Sequence, residues 1–263
     1  MKKRIISAVI MAVICIPLII IGGLPFRIGV GILGILAYKE IIELKGMKKY
    51  PKGVVLLGLV VLLLLIFSNR EMTYATLGLD YRYIVFAFLA MFLPTIFYYN
   101  TKKYTTREAF ELTGFILFLG ITMNLISNIL IYDKPYFFLI LLVTILADTF
   151  AYFTGMMIGR HKVTKISPNK SLEGYIGGIA MSTVLSSIYY MTFIGNASLW
   201  SVVPCLAILA LVGELGDLFY SAIKRDWDIK DFSNLIPGHG GILDRIDSLT
   251  FVTLAYMLLR AFI

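Results

Sequence analysis

Residues 200–225 read WSVVPCLAILALVGELGDLFYSAIKR, and this stretch decides the fold. Its first part is an apolar run of the kind that crosses hydrocarbon about 30 Å thick, for which a helix needs roughly 20 mainly apolar residues. Its second part carries Glu214, Asp217, Ser221 and Arg225 at steps of three, four and four. That spacing places them on one stripe of a helix, with Lys224 alongside. Ionisable groups inside an apolar run are costly unless they meet water, ions or partners, which makes them functional candidates. Helix–helix hydrogen bonding in a bundle is the simpler reading. It does not explain why the stripe leads straight into a polar loop.

The membrane setting extends to the whole chain. Of 263 residues, 59% are hydrophobic and 15% charged, and the mean hydropathy is +0.86. One water-soluble core cannot hide that much apolar surface. Nine stretches have the length and character of spans: 5–22, 26–44, 53–68, 83–99, 110–131, 136–158, 172–195, 200–223 and 245–262. The weakest is 26–44, which is glycine-rich and ends in Lys39 and Glu40, so an interfacial helix is its alternative. The opening MKKRIISAVI resembles a signal peptide, but no small-residue cleavage site follows and further spans come directly after. The expected fold is therefore all-α, a polytopic integral membrane protein with about nine transmembrane helices. Cys15 and Cys205 lie in separate apolar runs and read as inert buried residues.

Charge orients the spans, because cytoplasmic loops collect Lys and Arg. With the N-terminus cytoplasmic, the inner segments hold Lys2, Lys3, Arg4; Lys39, Lys45, Lys48, Lys49, Lys52; Lys102, Lys103, Arg107; Arg160, Lys162, Lys165, Lys170; and Lys224, Arg225, Lys230, Arg245. Of the 24 bases, only Arg27, Arg70, Arg82, Lys134 and Arg260 fall outside. Most of the +8 net charge is then topology and attraction to anionic headgroups, not a nucleic-acid footprint. The expected location is the cell membrane, multi-pass, with the functional loops on the cytoplasmic side.

Polarity divides the chain near residue 135. Residues 1–134 read as membrane scaffold helices. Residues 135–263 read as a catalytic membrane region with two cytoplasmic loops, 159–171 and 224–245. Its spans carry Asp148, Glu214 and Asp217. The first loop lies in DTFAYFTGMMIGRHKVTKISPNKSLEG, residues 148–174. Lys162 and Lys165 there read as positive-inside charge, whereas Lys170 sits in Ser167-Pro168-Asn169-Lys170-Ser171, where a fixed turn and hydroxyls suit an anion. The second lies in SAIKRDWDIKDFSNLIPGHGGILDRIDS, residues 221–248.

Carboxylates with no clustered cysteine, and two histidines (His161 and His239) without ligand spacing, point to a hard, oxygen-liking cation such as Mg²⁺ or Mn²⁺, alone or with a second cation. Basic residues and the turn Pro237-Gly238-His239-Gly240-Gly241 beside such a metal suit polyphosphate. Lys224, Arg225 and Lys230 on one side, and Asp244, Arg245 and Asp247 on the other, strengthen that reading. Two patterns are set aside. Gly29-Val-Gly31-Ile-Leu-Gly34 lies in an apolar run with no preceding strand and reads as helix packing, as do Gly155-x-x-x-Gly159 and Gly174-x-x-x-Gly178. No soluble-type P-loop motif occurs.

These residues carry a resemblance. Ser221-x-x-Lys224-Arg225, then Lys230-Asp231-x-Ser233-x-x-Ile236-Pro237-x-His239-Gly240-Gly241-x-x-Asp244-Arg245-x-Asp247, follows the signature of the phosphatidate cytidylyltransferases, or CDP-diacylglycerol synthases. The upstream loop resembles the same family through Asp148-Thr149, Ala151-Tyr152, Gly155, Gly159, Ser167-Pro168, Lys170, Glu173 and Gly174. Ser233 stands where many relatives have glycine, and Ser171 where threonine is usual. The likeness is dense from 148 to 250; before that it rests on hydropathy.

The resemblance implies a Mg²⁺-dependent membrane enzyme that joins CTP to phosphatidic acid, giving CDP-diacylglycerol and pyrophosphate. It implies metal ligands in the signature, with Asp217 and Asp244 first and Asp148 and Asp247 completing the site or holding its neighbours. Ser221, Lys224, Arg225 and Arg245 join them as catalytic candidates, the three bases on phosphates. Ser167, Lys170, Lys230, His239, Gly240 and Gly241 are the substrate-binding candidates, His239 as a phosphate donor or simply a turn residue. The expected partners are CTP, phosphatidic acid and the lipid bilayer, and the resemblance also suggests a homodimer. A CTP-using lipid-alcohol kinase is the nearest alternative, since it needs the same metal and nucleotide; an ion-coupled transporter is the alternative from another class. The D-G-x-x-A-R pattern of the CDP-alcohol phosphotransferases is missing.

Overall fold

A computed structural model describes residues 2–44, 50–68, 80–164, 166–168, 170–195 and 197–263, with side chains from residue 6 onward. Lys45, Lys48, Lys49, Arg70, Lys165 and Asn169, and the side chains of Lys2, Lys3 and Arg4, lie outside the described residues.

Among the described residues the secondary structure is helical: α1 Lys2–Ile21, α2 Gly23–Ile42, α3 Lys52–Phe67, α4 Tyr81–Phe92, α5 Pro94–Tyr98, α6 Thr106–Tyr132, α7 Lys134–Ile158, α8 Leu172–Phe193, α9 Leu199–Asp226 and α10 Leu243–Leu259, with a last 3₁₀ turn at Arg260–Phe262. Extended pairing among the described residues is limited to isolated bridges. The all-α membrane fold expected from hydropathy is the one observed. Among the described residues five helical stretches are long and apolar enough to cross a bilayer: Tyr81–Tyr98, Thr106–Tyr132, Lys134–Ile158, Leu172–Phe193 and Leu199–Asp226. Ile6–Ile21 and Lys52–Phe67 are apolar but shorter. The remaining two stretches read as spans are helical as well, in α2 and α10.

The chain divides into two units. The first comprises residues 1–131 and 231–243, the second 132–230 and 244–263. In the first unit, α1 gives way to α2 at Gly22 and Gly23, whose φ values of 66° and 54° lie where side chains are disfavoured. The glycines of the G-x-G-x-x-G pattern are packing surface: an added Cβ would meet the Phe67 ring at Gly31 and the Ile66 side chain at Gly34. Helix α6 is the most enclosed span. Thr113, Thr122, Asn124, Ser127 and Asn128 of this helix are buried, and Asn124 Nδ2 donates to the Leu65, Ile66 and Ser68 carbonyls at 3.0, 3.1 and 2.7 Å. These help satisfy the carbonyls at the end of α3, where Leu65 also accepts from the Ser68 N–H at 3.3 Å. Asn128 donates to Asn124 at 2.8 Å, and Arg27 donates to Asn128 at 2.6 Å. Polar side chains of α2 and α6 thus pair inside the first unit.

The second unit is built on the α7–α8 crossing. A Cβ at Gly174 would meet the Ala151 carbonyl at 2.7 Å, and one at Gly178 the Ala147 carbonyl at 2.7 Å, so the two backbones touch through small residues. Ser182 Oγ adds a hydrogen bond to the Val143 carbonyl at 2.9 Å. Helix α9 meets α8 where Tyr175 Oη donates to the Glu214 carbonyl at 3.4 Å. Helix α10 lies on α9 through Val252 against Gly213 and Phe251 against Gly216.

Candidate active site

A cavity of the second unit has a volume of about 360 Å³ and is lined by α7 residues Asp148, Ala151, Tyr152, Gly155 and Met156, then Lys170, Ser171 and Tyr175, and α9 residues Glu214 and Asp217. Its polar groups come from the two stretches marked out in the sequence. Helical spacing delivers Glu214 and Asp217 one turn apart on α9. Asp148 comes from α7, next to the small-residue crossing that lets α8 approach.

Lys170 is the cation of this cavity. Its ammonium forms a close ion pair with Asp217 and a second contact, at 3.3 Å, with Glu214, and it lies 5.1 Å from the Tyr175 ring centroid. Burial alone pulls this ammonium down, but the Asp217 and Glu214 carboxylates outweigh that effect and hold it above the ordinary lysine value. Glu214 is 1% exposed, and its Oε1 has no hydrogen-bond partner among the described residues. Asp148 feels the charges of Glu214, Asp217, Lys170 and Arg245. Asp247 feels those of Asp217, Asp148 and Lys224. Four carboxylates and three basic groups therefore share one electrostatic neighbourhood.

Asp244, in the first turn of α10, accepts from Lys224 Nζ at 2.7 Å, and both side chains are largely enclosed. Ser221 is buried and its Oγ donates to Asp217 Oδ1 at 3.4 Å. Arg225 is exposed and fastens loops, donating to the Ile166 carbonyl and the Ile229 carbonyl, each at 3.2 Å. Lys230 and Arg245 are exposed. Ser167 contributes its carbonyl to the Lys170 N–H at 3.1 Å and so shapes the turn that presents Lys170.

The signature itself is shared between units, since residues 231–243 belong to the first. There, Gly238 and Gly240 have φ of 81° and 82°, the left-handed values that glycine tolerates. His239 Nδ1 is buried without a hydrogen-bond partner among the described residues. Gly241 lies against Glu40.

Three residues gained importance beyond the sequence reading. Glu214, on the α9 stripe, lines the cavity and pairs with Lys170. Glu173, noted only as a matching position, accepts from the backbone N–H groups of Arg160 at 3.0 Å and His161 at 3.2 Å and meets His161 Nδ1 at 2.5 Å. It thereby pins the start of the loop that carries Lys170. Glu40 is buried in α2, and its signal in the sequence is an acid inside a glycine-rich apolar helix.

Among the described residues no three His, Cys, Asp or Glu side chains stand close enough to hold a metal ion as they are. The donor set nevertheless fits a hard cation in kind. Asp148, Glu214 and Asp217 offer only oxygen ligands to one cavity, and Glu214 Oε1 is an unsatisfied buried acceptor. Lys170 holds the positive charge between two of them.

Comparison with known proteins matches residues 2–263 to the model of the cytidylyltransferase family. The chain belongs to that family. A Bacillus subtilis (strain 168) member named phosphatidate cytidylyltransferase is 34% identical over 268 residues, covering 100% of this chain and 98% of that protein. A Staphylococcus aureus (strain COL) protein of the same name is 33% identical over 259 residues, 96% of each chain. A Staphylococcus saprophyticus relative, also so named, is 29% identical over 253 residues. Family membership thus covers the N-terminal helices as well as the motif-dense half.

Proposed function

We propose that this chain is a membrane-embedded phosphatidate cytidylyltransferase that joins CTP to phosphatidic acid and releases pyrophosphate. The observation that carries the reading is the full-length likeness to proteins of that name. It is supported by a cavity that sets carboxylates and Lys170 beside the apolar Tyr152 and Met156 wall of α7, a combination suited to a substrate with a phosphate head and acyl tails.

In the proposed reaction an oxygen of the phosphatidate phosphate attacks the α-phosphorus of CTP in line. A new P–O bond forms, the α–β bridging P–O bond breaks, and pyrophosphate leaves with the electron pair. The attacking group is already an anion at neutral pH, so no strong general base is required. Lys170, Lys224, Arg225 and Arg245 bind and orient the phosphates and offset the charge of the transition state. His239, Gly240 and Gly241, with Ser167 and Lys230, form the remaining substrate contacts. Ser221 holds the Asp217 carboxylate. Asp148, Asp217 and Asp247, with Asp244, would hold Mg²⁺ or Mn²⁺, with Glu214 beside them; a bound divalent cation supplies Lewis-acid polarisation of the phosphoryl oxygens. Lys170, paired with Asp217 in the structure, would be available to substrate phosphate oxygens, and Asp217 is among the residues that would hold the cation.

The charge distribution along the sequence supports nine spans with the N-terminus cytoplasmic. Loops 159–171 and 224–245 would then face the cytosolic nucleotide, and residues 135–263 would form the catalytic region. A homodimer is the expected assembly. Purified protein in lipid–detergent micelles, given CTP and Mg²⁺, should release pyrophosphate only when phosphatidic acid is present; release with diacylglycerol in its place would reject the acceptor.

A further inference from the structure

Glu40 lies on α2, far in sequence from every residue assigned to the reaction, yet it is 4% exposed and its carboxylate is fully engaged by the signature loop. Oε1 accepts from Ser233 Oγ at 2.6 Å and from the Ile242 N–H at 2.8 Å; Oε2 accepts from the Leu243 N–H at 2.9 Å. Leu243 is the first residue of α10, so two of these donors belong to the open N–H groups at that helix start, where a negative charge is favoured. Asp244 and Arg245 follow directly in the chain.

The neighbouring residues are shaped to this carboxylate. A Cβ at Gly241 would meet Glu40 Oε1 at 2.5 Å and Oε2 at 2.7 Å, while Gly241 itself shows no left-handed φ. Glycine there is explained by the acid pressed against it. Ser233 supplies the shortest of the three hydrogen bonds. A second tether comes from α1, where buried Ser7 Oγ donates to the Pro237 carbonyl at 2.8 Å. A carboxylate buried in an apolar helix is costly unless its acceptors are filled; here the fillers are the backbone and hydroxyl groups of residues 233–243.

We propose that Glu40 is a positioning residue for cytidylyl transfer: by clamping residues 233–243 it fixes the start of α10 and hence the backbone from which Asp244 and Arg245 project. The inference rests on the proposed function, and its test separates the two. Hydrogen exchange on the full-length protein in micelles reads the clamp without turnover. Glu40→Gln should speed exchange at the Ile242 and Leu243 amides by about tenfold or more and leave α6 unchanged. Steady-state turnover of CTP and phosphatidic acid reads the positioning. Glu40→Gln should lower kcat about 10- to 100-fold, with KM for CTP little changed.

Gly241→Ala guards against general misfolding. It should also lower kcat, and Glu40→Asp combined with Gly241→Ala should exceed Gly241→Ala alone, because the shorter acid withdraws from the new methyl group while keeping its charge. Unchanged amide exchange in Glu40→Gln would overturn the clamp. Faster exchange with unchanged kcat would overturn the positioning role. A wild-type protein that makes no CDP-lipid would reject the proposed function and the catalytic half of this inference, while exchange still decides the clamp.

Discussion

Lys170 bridges two carboxylates of one helix, pairing closely with Asp217 and standing 3.3 Å from Glu214. Its side chain is 22% exposed and that of Glu214 1%. Removing the ammonium leaves an uncompensated buried carboxylate, which costs about 3–5 kcal/mol where it is fully enclosed. Lys170→Met should therefore lower stability by up to about 3 kcal/mol, measured as thermal unfolding in detergent. Adding Glu214→Gln should restore part of it. Full stability in Lys170→Met alone would show that the pair does not hold the native state together.

The pH dependence of this pair has a definite sign. The folded Lys170 ammonium is held above its ordinary value, so its contribution is complete below the unfolded lysine value and disappears only as pH rises through the higher folded one. Through the neutral range Lys170 keeps its proton, so any narrowing of the gap between wild type and Lys170→Met on acidification comes from the Asp148, Glu214 and Asp217 carboxylates that the lysine no longer offsets. A gap that fades as pH rises from neutral to mildly alkaline would contradict the assignment of the charge to Lys170.

Asp148→Asn and Asp217→Asn should each leave an inserted, folded protein with turnover reduced by orders of magnitude, because neutral amides are poor Mg²⁺ ligands. Lys162→Ala, on an exposed side chain, should be mild. Near-normal turnover of Asp217→Asn at ordinary Mg²⁺ would remove it from the ligand set.

Gly174→Val inserts bulk where the Ala151 carbonyl lies 2.7 Å from a Cβ. Overpacking of this kind costs about 1–3 kcal/mol, and here it also spreads α7 from α8 beside the cavity. Gly114→Ala, with nothing within 4 Å of the new atom, serves as the control. Equal unfolding temperatures for the two variants would refute the small-residue crossing.

Single cysteines at Lys103, Lys162 and Lys230, in a chain lacking Cys15 and Cys205, should label from the cytoplasmic side. One at Ala197 should label from the other. Labelling of the 162 and 230 positions from opposite faces would break the arrangement of both loops at one membrane surface.

Much of this was legible in one dimension because hydrophobic length and helical period are local properties. The α9 stripe needs only steps of three and four to align Glu214 with Asp217, and α7 and α8 announce their contact through spaced glycines. Partnerships across long sequence separations were not legible. Nothing in the sequence around Lys170 says that its ammonium lies between two acids 44 and 47 positions later. Nor could Glu40 reveal that its acceptors are filled by Ser233, Ile242 and Leu243; burial turned an apparent blemish in a span into an anchor. Helix ends were also blurred, since the apolar pattern marks only the lipid-crossing part and α9 continues to Asp226.

The central claim concerns which phosphorus of CTP is attacked, and isotopic label decides it directly. Purified protein, phosphatidic acid and Mg²⁺ are incubated with CTP labelled at the α- or the γ-phosphate, and the lipid phase is extracted and counted. Cytidylyl transfer places the α-label in lipid and leaves the γ-label in water as pyrophosphate, with lipid label lost in Asp217→Asn and on chelation by EDTA. Label from the γ-phosphate in lipid, or no lipid label from either, would contradict the account.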